Sequence, residues 1–238
     1  MDIPTVTGPL ITSMEAAVAL PVPDVKRNRT GKYVEGVRLA KTLIADKPVI
    51  AGVIGPFSLA GRLLDMTEIM VNCYLEPELV HTTLEKASTF IRDYILAFKE
   101  AGADGVLMAE PAAGLLSPET CEEFSSAYIR NLVAEVVDDD FLFIYHNCGN
   151  VIPLAESLIA INADAYHFGD HIDLEQMLKK MPVDKIVLGN ISPTSQFRNG
   201  SPASMRAAVR ELLVKCAKYP NFVIDRKSTR LNSSHRIR

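Results

Sequence analysis

The sequence predicts an α/β protein with the architecture of a (β/α)8 TIM barrel, of which this chain holds about six of the eight strands. From residue 48 onward, short apolar runs alternate with segments of helical periodicity. The runs are apolar throughout, which is typical of strands buried on both faces of a parallel sheet. Polar residues collect directly after several runs, where a barrel carries its active site. No glycine-rich phosphate-binding motif follows any run, which disfavours an open nucleotide-binding sheet.

The individual elements follow from these patterns. The predicted strands are residues 48–53, 105–109, 141–145, 165–168, 185–188 and 222–224. The predicted helices begin near Ser58 and then cover residues 76–100, 117–137, 153–161, 174–180 and 202–218. Gly102 follows the second helix, and Ser117 with Pro118 has the composition of a helix N-terminus. Since a closed barrel needs eight strands, we expect two to be missing at the front and the last to be cut short.

Composition and charge limit the classes of function. The chain is 48% hydrophobic and 23% charged, and it contains neither an apolar run long enough to span a membrane nor a secretory signal. The four cysteines are widely spaced, which is typical of reduced thiols and predicts a cytoplasmic protein. The chain is acidic, which does not suggest a nucleic-acid partner, and no membrane partner is expected.

The C-terminal stretch has a different character. Residues 225–235 read DRKSTRLNSSH, have no helical or strand period, and match the translation of a common sequencing adapter. We therefore predict that residues 225–238 are a non-native read-through tail and that residues 1–224 are a partial barrel domain. The alternative is a disordered basic tail.

His146 and Cys148 are the principal candidates for chemistry. They follow the apolar run 141–145, and residues i and i+2 of a strand point to the same side, so an imidazole and a thiol could bind one zinc ion. The alternative is a packed cysteine beside a hydrogen-bonded histidine. A catalytic zinc needs three protein ligands, and the remaining cysteines (Cys73, Cys121 and Cys216) fall in predicted helices. The missing ligand is expected after residues 222–224.

Four further polar residues follow predicted strands. Glu110 is a candidate catalytic group, as a fourth zinc ligand or as a proton acceptor for a substrate thiol, or else a cap on the following loop. Asn150, Asp170 and Asn190 are candidate substrate-binding residues. The alternatives are a cap for Asn150, an exposed loop position for Asp170 and a bridge across the turn for Asn190. His167, inside a strand, is interpreted as a packed core histidine.

Five segments together resemble the uroporphyrinogen decarboxylase superfamily over nearly all of residues 1–224. They are GVIGPFSLA (52–60), LMAEPAAGLLSPE (107–119), YHNCGN (145–150), VLGNISP (187–193) and NFVI (221–224). The His-x-Cys-Gly-Asn form resembles the methylcobamide:coenzyme M methyltransferase branch of that superfamily. This resemblance implies that His146 and Cys148 are zinc ligands. The branch's third ligand is a cysteine in a stretch like SSGCD soon after the last strand, where this chain has Asp225 onward.

The resemblance implies a zinc-dependent methyltransferase that moves a methyl group from a methylated corrinoid, held on a separate carrier protein, to a small thiol such as coenzyme M. One alternative is metal-free uroporphyrinogen decarboxylation, and another is a non-catalytic barrel that binds a corrinoid or a thiol. The oligomeric state is not predicted. A chain lacking two strands and a zinc ligand is expected to be an inactive fragment.

Overall fold

The computed structural model describes residues 8–226, and within them six parallel strands form one sheet in the order of the sequence. The strands are β1 (Ile50–Ile54), β2 (Gly105–Ala109), β3 (Leu142–Asn147), β4 (Ala165–Phe168), β5 (Ile186–Ile191) and β6 (Phe222–Arg226). Each strand pairs with the next one along the chain, and in the described residues β1 and β6 remain the two edges. The predicted incomplete barrel is therefore confirmed, with β6 two residues longer than expected.

Ten α-helices lie within the described residues. They are α1 (Met14–Ala19), α2 (Asn28–Leu43), α3 (Pro56–Leu64), α4 (Met66–Leu75), α5 (Pro77–Glu100), α6 (Pro118–Cys121), α7 (Ala127–Val136), α8 (Ala155–Ala160), α9 (Leu174–Leu178) and α10 (Pro202–Cys216). The predicted helix 117–137 is divided into α6 and α7 by a π-helical turn, Glu122–Ser126. None of the helices in residues 8–226 combines the length and the apolar character that crossing a membrane requires.

The two faces of the sheet differ in burial. The face covered by helices carries wholly buried side chains, among them Val106, Met108, Phe143, Tyr145, Tyr166 and Phe168. The opposite face, which corresponds to the interior of a closed barrel, is only partly covered: Leu107 and Leu188 are half-buried and Val223 is 43% exposed. The continuous apolar runs arise because one face packs on helices and the other is built to pack within a barrel.

Helix α5 is the longest element of the helical layer. Its buried residues Ile91, Ile95 and Phe98 belong to the main hydrophobic core, together with side chains of β1, β2 and α7. The helix ends at Glu100, and Gly102 takes a φ of +93°, which L side chains rarely adopt. This glycine turns the chain from α5 into β2.

The strand register brings the carboxyl ends of the strands together. Ala109 of β2 pairs with His146 of β3, and His146 pairs with His167 of β4. Partners in a parallel sheet project to the same side, so both histidines face the partly covered side. The register thus places the polar residues of β3 and β4 at one end of one face.

Candidate active-site cleft

A cleft of about 1350 Å³ opens on the partly covered face of the sheet. It is lined by residues from β1 to β4, by helices α2, α3 and α5, and by the 3-10 turn Pro111–Leu115 that follows β2. His146, Cys148 and His167 lie together in its lining. The structure therefore brings both predicted zinc ligands into one cleft.

His146 is fixed in one tautomer by the backbone of the next strand. The residue is 5% exposed, and its Nδ1 lies 2.9 Å from the carbonyl oxygen of His167. A carbonyl oxygen only accepts, so Nδ1 carries a proton, and in the neutral ring Nε2 then carries the lone pair. This arrangement, in which one ring nitrogen donates to a carbonyl, is the usual one for a metal-binding histidine.

Cys148 lies two residues beyond His146 and is a free, half-buried thiol. The close approach of β4 to this residue depends on Gly169. A Cβ added at Gly169 would lie 2.7 Å from the Cα of Cys148, closer than real Cβ atoms come. A glycine is therefore required where the loop after β4 passes the thiol.

Asn147, between the two candidate ligands, points away from the cleft and is wholly buried. Its Nδ2 donates to the carbonyl of Glu110 at 2.6 Å and to the Tyr145 hydroxyl at 3.2 Å, while its Oδ1 accepts from the Gly149 amide at 2.8 Å. One side chain thus ties the end of β2 to the end of β3. The only sequence signal for this role is its position between His146 and Cys148.

The Glu110 side chain does not line the cleft, where the predicted catalytic role would place it. Its side chain is wholly buried and is not part of the cleft lining. The carboxylate accepts from the amides of Phe57 and Ser58, at 2.9 Å and 2.7 Å, and from the Ser58 hydroxyl. Phe57 and Ser58 lie in the first turn of α3. Gly55 directly precedes α3, and a Cβ at Gly55 would lie 2.3 Å from the Glu110 carboxylate. Glu110 therefore caps the N-terminus of α3, and its catalytic role stays a prediction.

Burial controls the protonation of this carboxyl group. Removal from water raises the pKa of Glu110 to about 7, against the lowering effect of the hydrogen bonds from Ser58 and Phe57. Ser58 also lines the cleft, and its hydroxyl accepts from the Ala112 amide at 3.1 Å. Ser58 is thus the link between the buried carboxyl group and the cleft, and sequence reasoning gave it no role.

The predicted substrate-binding residues lie outside the cleft lining. Asn190 donates from Nδ2 to the carbonyls of Gly169 and Ile172, at 3.1 Å and 2.9 Å, and so bridges β5 to the loop after β4. Asp170 is half-buried in a turn after β4, and Asn150 is exposed after β3. Asn190 thus has the geometry of its alternative, a bridge across the turn, and the substrate-binding roles of all three residues stay predictions.

His167 is buried, as expected of a core histidine, but it also lines the cleft beside His146. The two rings lie 4.6 Å apart between centroids, and His167 Nε2 lies 3.7 Å from Asp225 Oδ2. The interpretation as a purely packed residue is therefore incomplete. Its backbone carbonyl fixes the tautomer of His146, an effect that residue identity cannot reveal.

The donor set fits zinc in part. His146 and Cys148 offer a nitrogen and a sulfur donor on one side of β3, and both are ligand types that zinc prefers. Within residues 8–226, no group of three His, Cys, Asp or Glu side chains is close enough to hold a metal ion. The other cysteines (Cys73, Cys121 and Cys216) are buried in α4, α6 and α10, as predicted. The described residues therefore contain two candidates for the three ligands that a catalytic zinc ion needs.

Comparison with known proteins gives one family and two activities. The uroporphyrinogen decarboxylase (URO-D) family profile matches residues 1–225. The methylcobamide:CoM methyltransferase MtbA of Methanosarcina acetivorans is 24% identical over 213 residues, covering 88% of this chain and 62% of the relative. The methylcobamide:CoM methyltransferase MtaA of Methanosarcina barkeri is 27% identical, with coverage of 88% and 62%. The uroporphyrinogen decarboxylase of Alcanivorax borkumensis is 26% identical, with coverage of 90% and 63%.

A solved structure agrees with the fold. A methyltransferase from Methanosarcina mazei superposes with a TM-score of 0.78 at 21% identity, covering 88% of this chain and 63% of that chain. At this identity the likeness shows the fold alone. The chain spans less than two thirds of the length of each of these relatives.

Proposed function

The chain belongs to the uroporphyrinogen decarboxylase family, and within that family we propose that it functions as a zinc-dependent methyltransferase. The reaction moves a methyl group from a methylated corrinoid to a thiol such as coenzyme M. The observation that carries this proposal is the His146 ring, whose Nδ1 donates to the His167 carbonyl and whose Nε2 therefore has the lone pair, beside Cys148 in the same cleft. The similarity to methylcobamide:CoM methyltransferases supports it.

Each residue of the site has a part in the proposed reaction. His146 and Cys148 would hold the zinc ion, and Asn147 holds the backbone of β3 in the geometry that both ligands need. A bound zinc ion would supply a Lewis acid that lowers the pKa of the acceptor thiol. The thiol sulfur forms a bond to the methyl carbon while the bond from that carbon to cobalt breaks, and the cobalt keeps the electron pair. The thiol proton passes to solvent or to a nearby base.

The proposal requires groups beyond the described residues. A third ligand is needed because catalytic zinc has three protein ligands, and we infer that a residue following β6 supplies it. A corrinoid carrier protein would deliver the methyl donor. We also propose that the protein is cytoplasmic, as its sequence predicts. On this view a chain with two ligands has little activity, so the tests below belong on the protein with its full ligand set.

Metal-free uroporphyrinogen decarboxylation is the second candidate, because curated decarboxylases match this chain as well as the methyltransferases do. The His-x-Cys pair favours the methyltransferase over the decarboxylase, since decarboxylation without a metal gives no role to an imidazole and a thiol on one side of a strand. Turnover of uroporphyrinogen that a chelator leaves unchanged would support the decarboxylase and exclude the methyltransferase. A non-catalytic barrel would bind corrinoid or thiol without turnover.

The decisive experiment combines zinc content with methyl transfer. The purified protein is expected to contain one zinc ion per chain and to methylate coenzyme M from methylcobalamin. His146→Ala and Cys148→Ser should lose both properties. His171→Ala is the matched control, because His171 is exposed and lies outside the cleft lining. Undiminished transfer by the His146 variant, or absence of stoichiometric zinc in the wild type, would refute the proposal.

A further inference from the structure

Polar side chains join the helices that follow β2 to the helix that follows β3. The π-helical turn Glu122–Ser126 comes after β2, and Ser157 lies in α8, after β3. The Ser157 hydroxyl donates to Glu122 Oε2 at 2.9 Å and lies 2.7 Å from the Ser126 hydroxyl oxygen. Arg130 donates to the other carboxylate oxygen of Glu122 at 2.8 Å. We call Glu122, Ser126 and Ser157 the helix clamp.

The helix clamp reaches from the surface into the core. Glu122 is half-buried, Ser157 is 9% exposed and Ser126 is wholly buried. Cys121 lies next to it, with its sulfur 3.7 Å from the Ser126 hydroxyl oxygen. Buried hydroxyl groups are stable where they are hydrogen-bonded, and hydrogen bonds depend on direction, whereas apolar contacts do not. The helix clamp therefore fixes α8 against the π-helical turn.

The π-helical turn is the local feature that directs Ser126 towards α8. The Ala127 amide donates to the carbonyl of Glu122, five residues earlier in the chain. This wider turn brings residues five apart, such as Cys121 and Ser126, to the same side, whereas an α-helix with about 3.6 residues per turn would separate them. Single π-helical turns are frequent at functional sites.

Helix α8 is the far end of the segment that carries Cys148. From Cys148 the chain passes through a short loop and a 3-10 turn, Ile152–Leu154, directly into α8. The near end of this segment is held by Asn147, whose Oδ1 accepts from the Gly149 amide at 2.8 Å. The far end is held at Ser157 by the helix clamp. Hydrogen bonds to neighbouring elements thus anchor both ends of the segment.

We propose that Ser157, Ser126 and Glu122 are positioning residues for Cys148. The helix clamp fixes the segment between β3 and α8, so that the thiol stays in the cleft beside His146. This inference deepens the proposed function and rests on it where Cys148 binds zinc. The three residues lie outside the cleft lining, and they act by limiting the positions that the thiol can take. Metal binding then needs less reorganisation of the ligand.

The reactivity of the Cys148 thiol reports its positioning without zinc. The other three cysteines are buried, so the aromatic disulfide DTNB should react first with Cys148 in the metal-free protein, and Cys148→Ser identifies that phase. Ser157→Ala should speed this reaction several-fold, because local opening exposes the thiol more often. The same variant should bind zinc about tenfold more weakly in competition with a chromogenic chelator.

Two further variants act on the same turn. Glu122→Ala removes the helix clamp from its exposed end and should also speed the reaction of Cys148. Glu122→Gln keeps an oxygen that accepts from Ser157 and should restore most of the wild-type behaviour. Ser125→Ala is the matched control, because Ser125 is wholly buried in the same turn and its hydroxyl has no hydrogen-bond partner among the described residues. It should change neither the thiol reactivity nor the zinc affinity.

A second control separates positioning from a general loss of stability. Ser201 caps the start of α10, between β5 and β6, so Ser201→Ala should lower the unfolding temperature and leave the reactivity of Cys148 unchanged. An equal rise of reactivity in Ser201→Ala would overturn the proposal. Wild-type reactivity in both Ser157→Ala and Glu122→Ala would overturn it as well.

The positioning role and the proposed function can fail separately. If the wild type binds no zinc and Ser157→Ala still reacts faster at Cys148, the methyltransferase proposal fails and the positioning role stands. If the wild type binds zinc and transfers methyl groups while Ser157→Ala and Glu122→Ala match its thiol reactivity, the positioning role fails and the methyltransferase proposal stands.

Discussion

The Nδ1 nitrogen of His146 donates a hydrogen bond to the backbone carbonyl of His167, 2.9 Å away on the neighbouring strand. This bond joins the imidazole to the frame of the parallel sheet, so the ring direction follows from the strand register. A side chain held in this way needs little reorganisation to bind a metal ion or a substrate.

The tautomer of His146 is the first testable consequence. In long-range ¹H–¹⁵N spectra at alkaline pH, where imidazoles are neutral, Nδ1 should resonate as a protonated nitrogen and Nε2 as an unprotonated one. His171 is exposed and should show the averaged signals of two exchanging tautomers. A spectrum in which Nε2 of His146 carries the proton would contradict the geometry.

Removal of the Asn147 side chain should cost about 3 kcal/mol of unfolding free energy, because buried partners at Glu110, Tyr145 and Gly149 would lose their hydrogen bonds. The measurement is chemical denaturation of Asn147→Ala. Asn147→Asp keeps the acceptor for Gly149 but faces the Glu110 carbonyl with an oxygen, so it should be at least as unstable. Asn150→Ala, at an exposed position, should stay within about 0.5 kcal/mol of the wild type.

Two glycine substitutions should change stability in opposite directions. A Cβ at Gly114 would lie 2.9 Å from the Cα of Gly149 and 2.8 Å from Asn147 Oδ1, so Gly114→Ala forces two loops apart at a cost of about 2 kcal/mol. Gly36 lies in α2 with no atom within 4 Å of its added Cβ, and Gly36→Ala should stabilise by about 1 kcal/mol. A Gly114→Ala variant as stable as the wild type would show that the contact between the loops is not tight.

The strands were predictable because each is an apolar run, whereas parts of the helical layer were not. Helix α2 was missed because it buries only Val34 and exposes Tyr33, Leu39 and Leu43, so its sequence has no clear apolar face. Helix α1 is not predicted either, because it has only six residues and its start is marked by a single side-chain cap, from Ser13.

The candidate site was likewise predictable only in part. His146 and Cys148 were predictable because a two-residue spacing on a strand fixes their common side. The capping role of Glu110 was not, because its partner Ser58 is 52 residues away in sequence and meets it only through the pairing of β1 with β2. Backbone contributions, such as the carbonyl of His167, leave no trace in residue identity.

Stability should fall as pH rises through the titration of Glu110. Burial raises the pKa of this group from an ordinary value of 4.5 to about 7 in the folded protein, so the folded state binds the proton more tightly than the unfolded state does. The stabilisation that proton binding to Glu110 gives the folded state is therefore complete below pH 4.5. It is lost as pH rises towards 7, and the total loss of unfolding free energy is about 3 kcal/mol. Chemical denaturation across this range measures the loss.

The variant Glu110→Gln distinguishes the pH-dependent stability that Glu110 contributes from that of the other titratable groups. The unfolding free energy of the wild type, relative to that of the variant, should fall between pH 4.5 and 7 and stay constant above that range. Glu119→Gln is the control, because the Glu119 carboxylate accepts hydrogen bonds from its own amide and from the Ser117 hydroxyl, which lower its pKa. The stability of the wild type relative to Glu119→Gln should therefore rise with pH. Parallel pH profiles for wild type and Glu110→Gln would mean that the buried carboxyl group keeps its ordinary pKa, and that the cap on α3 is an ordinary carboxylate at neutral pH.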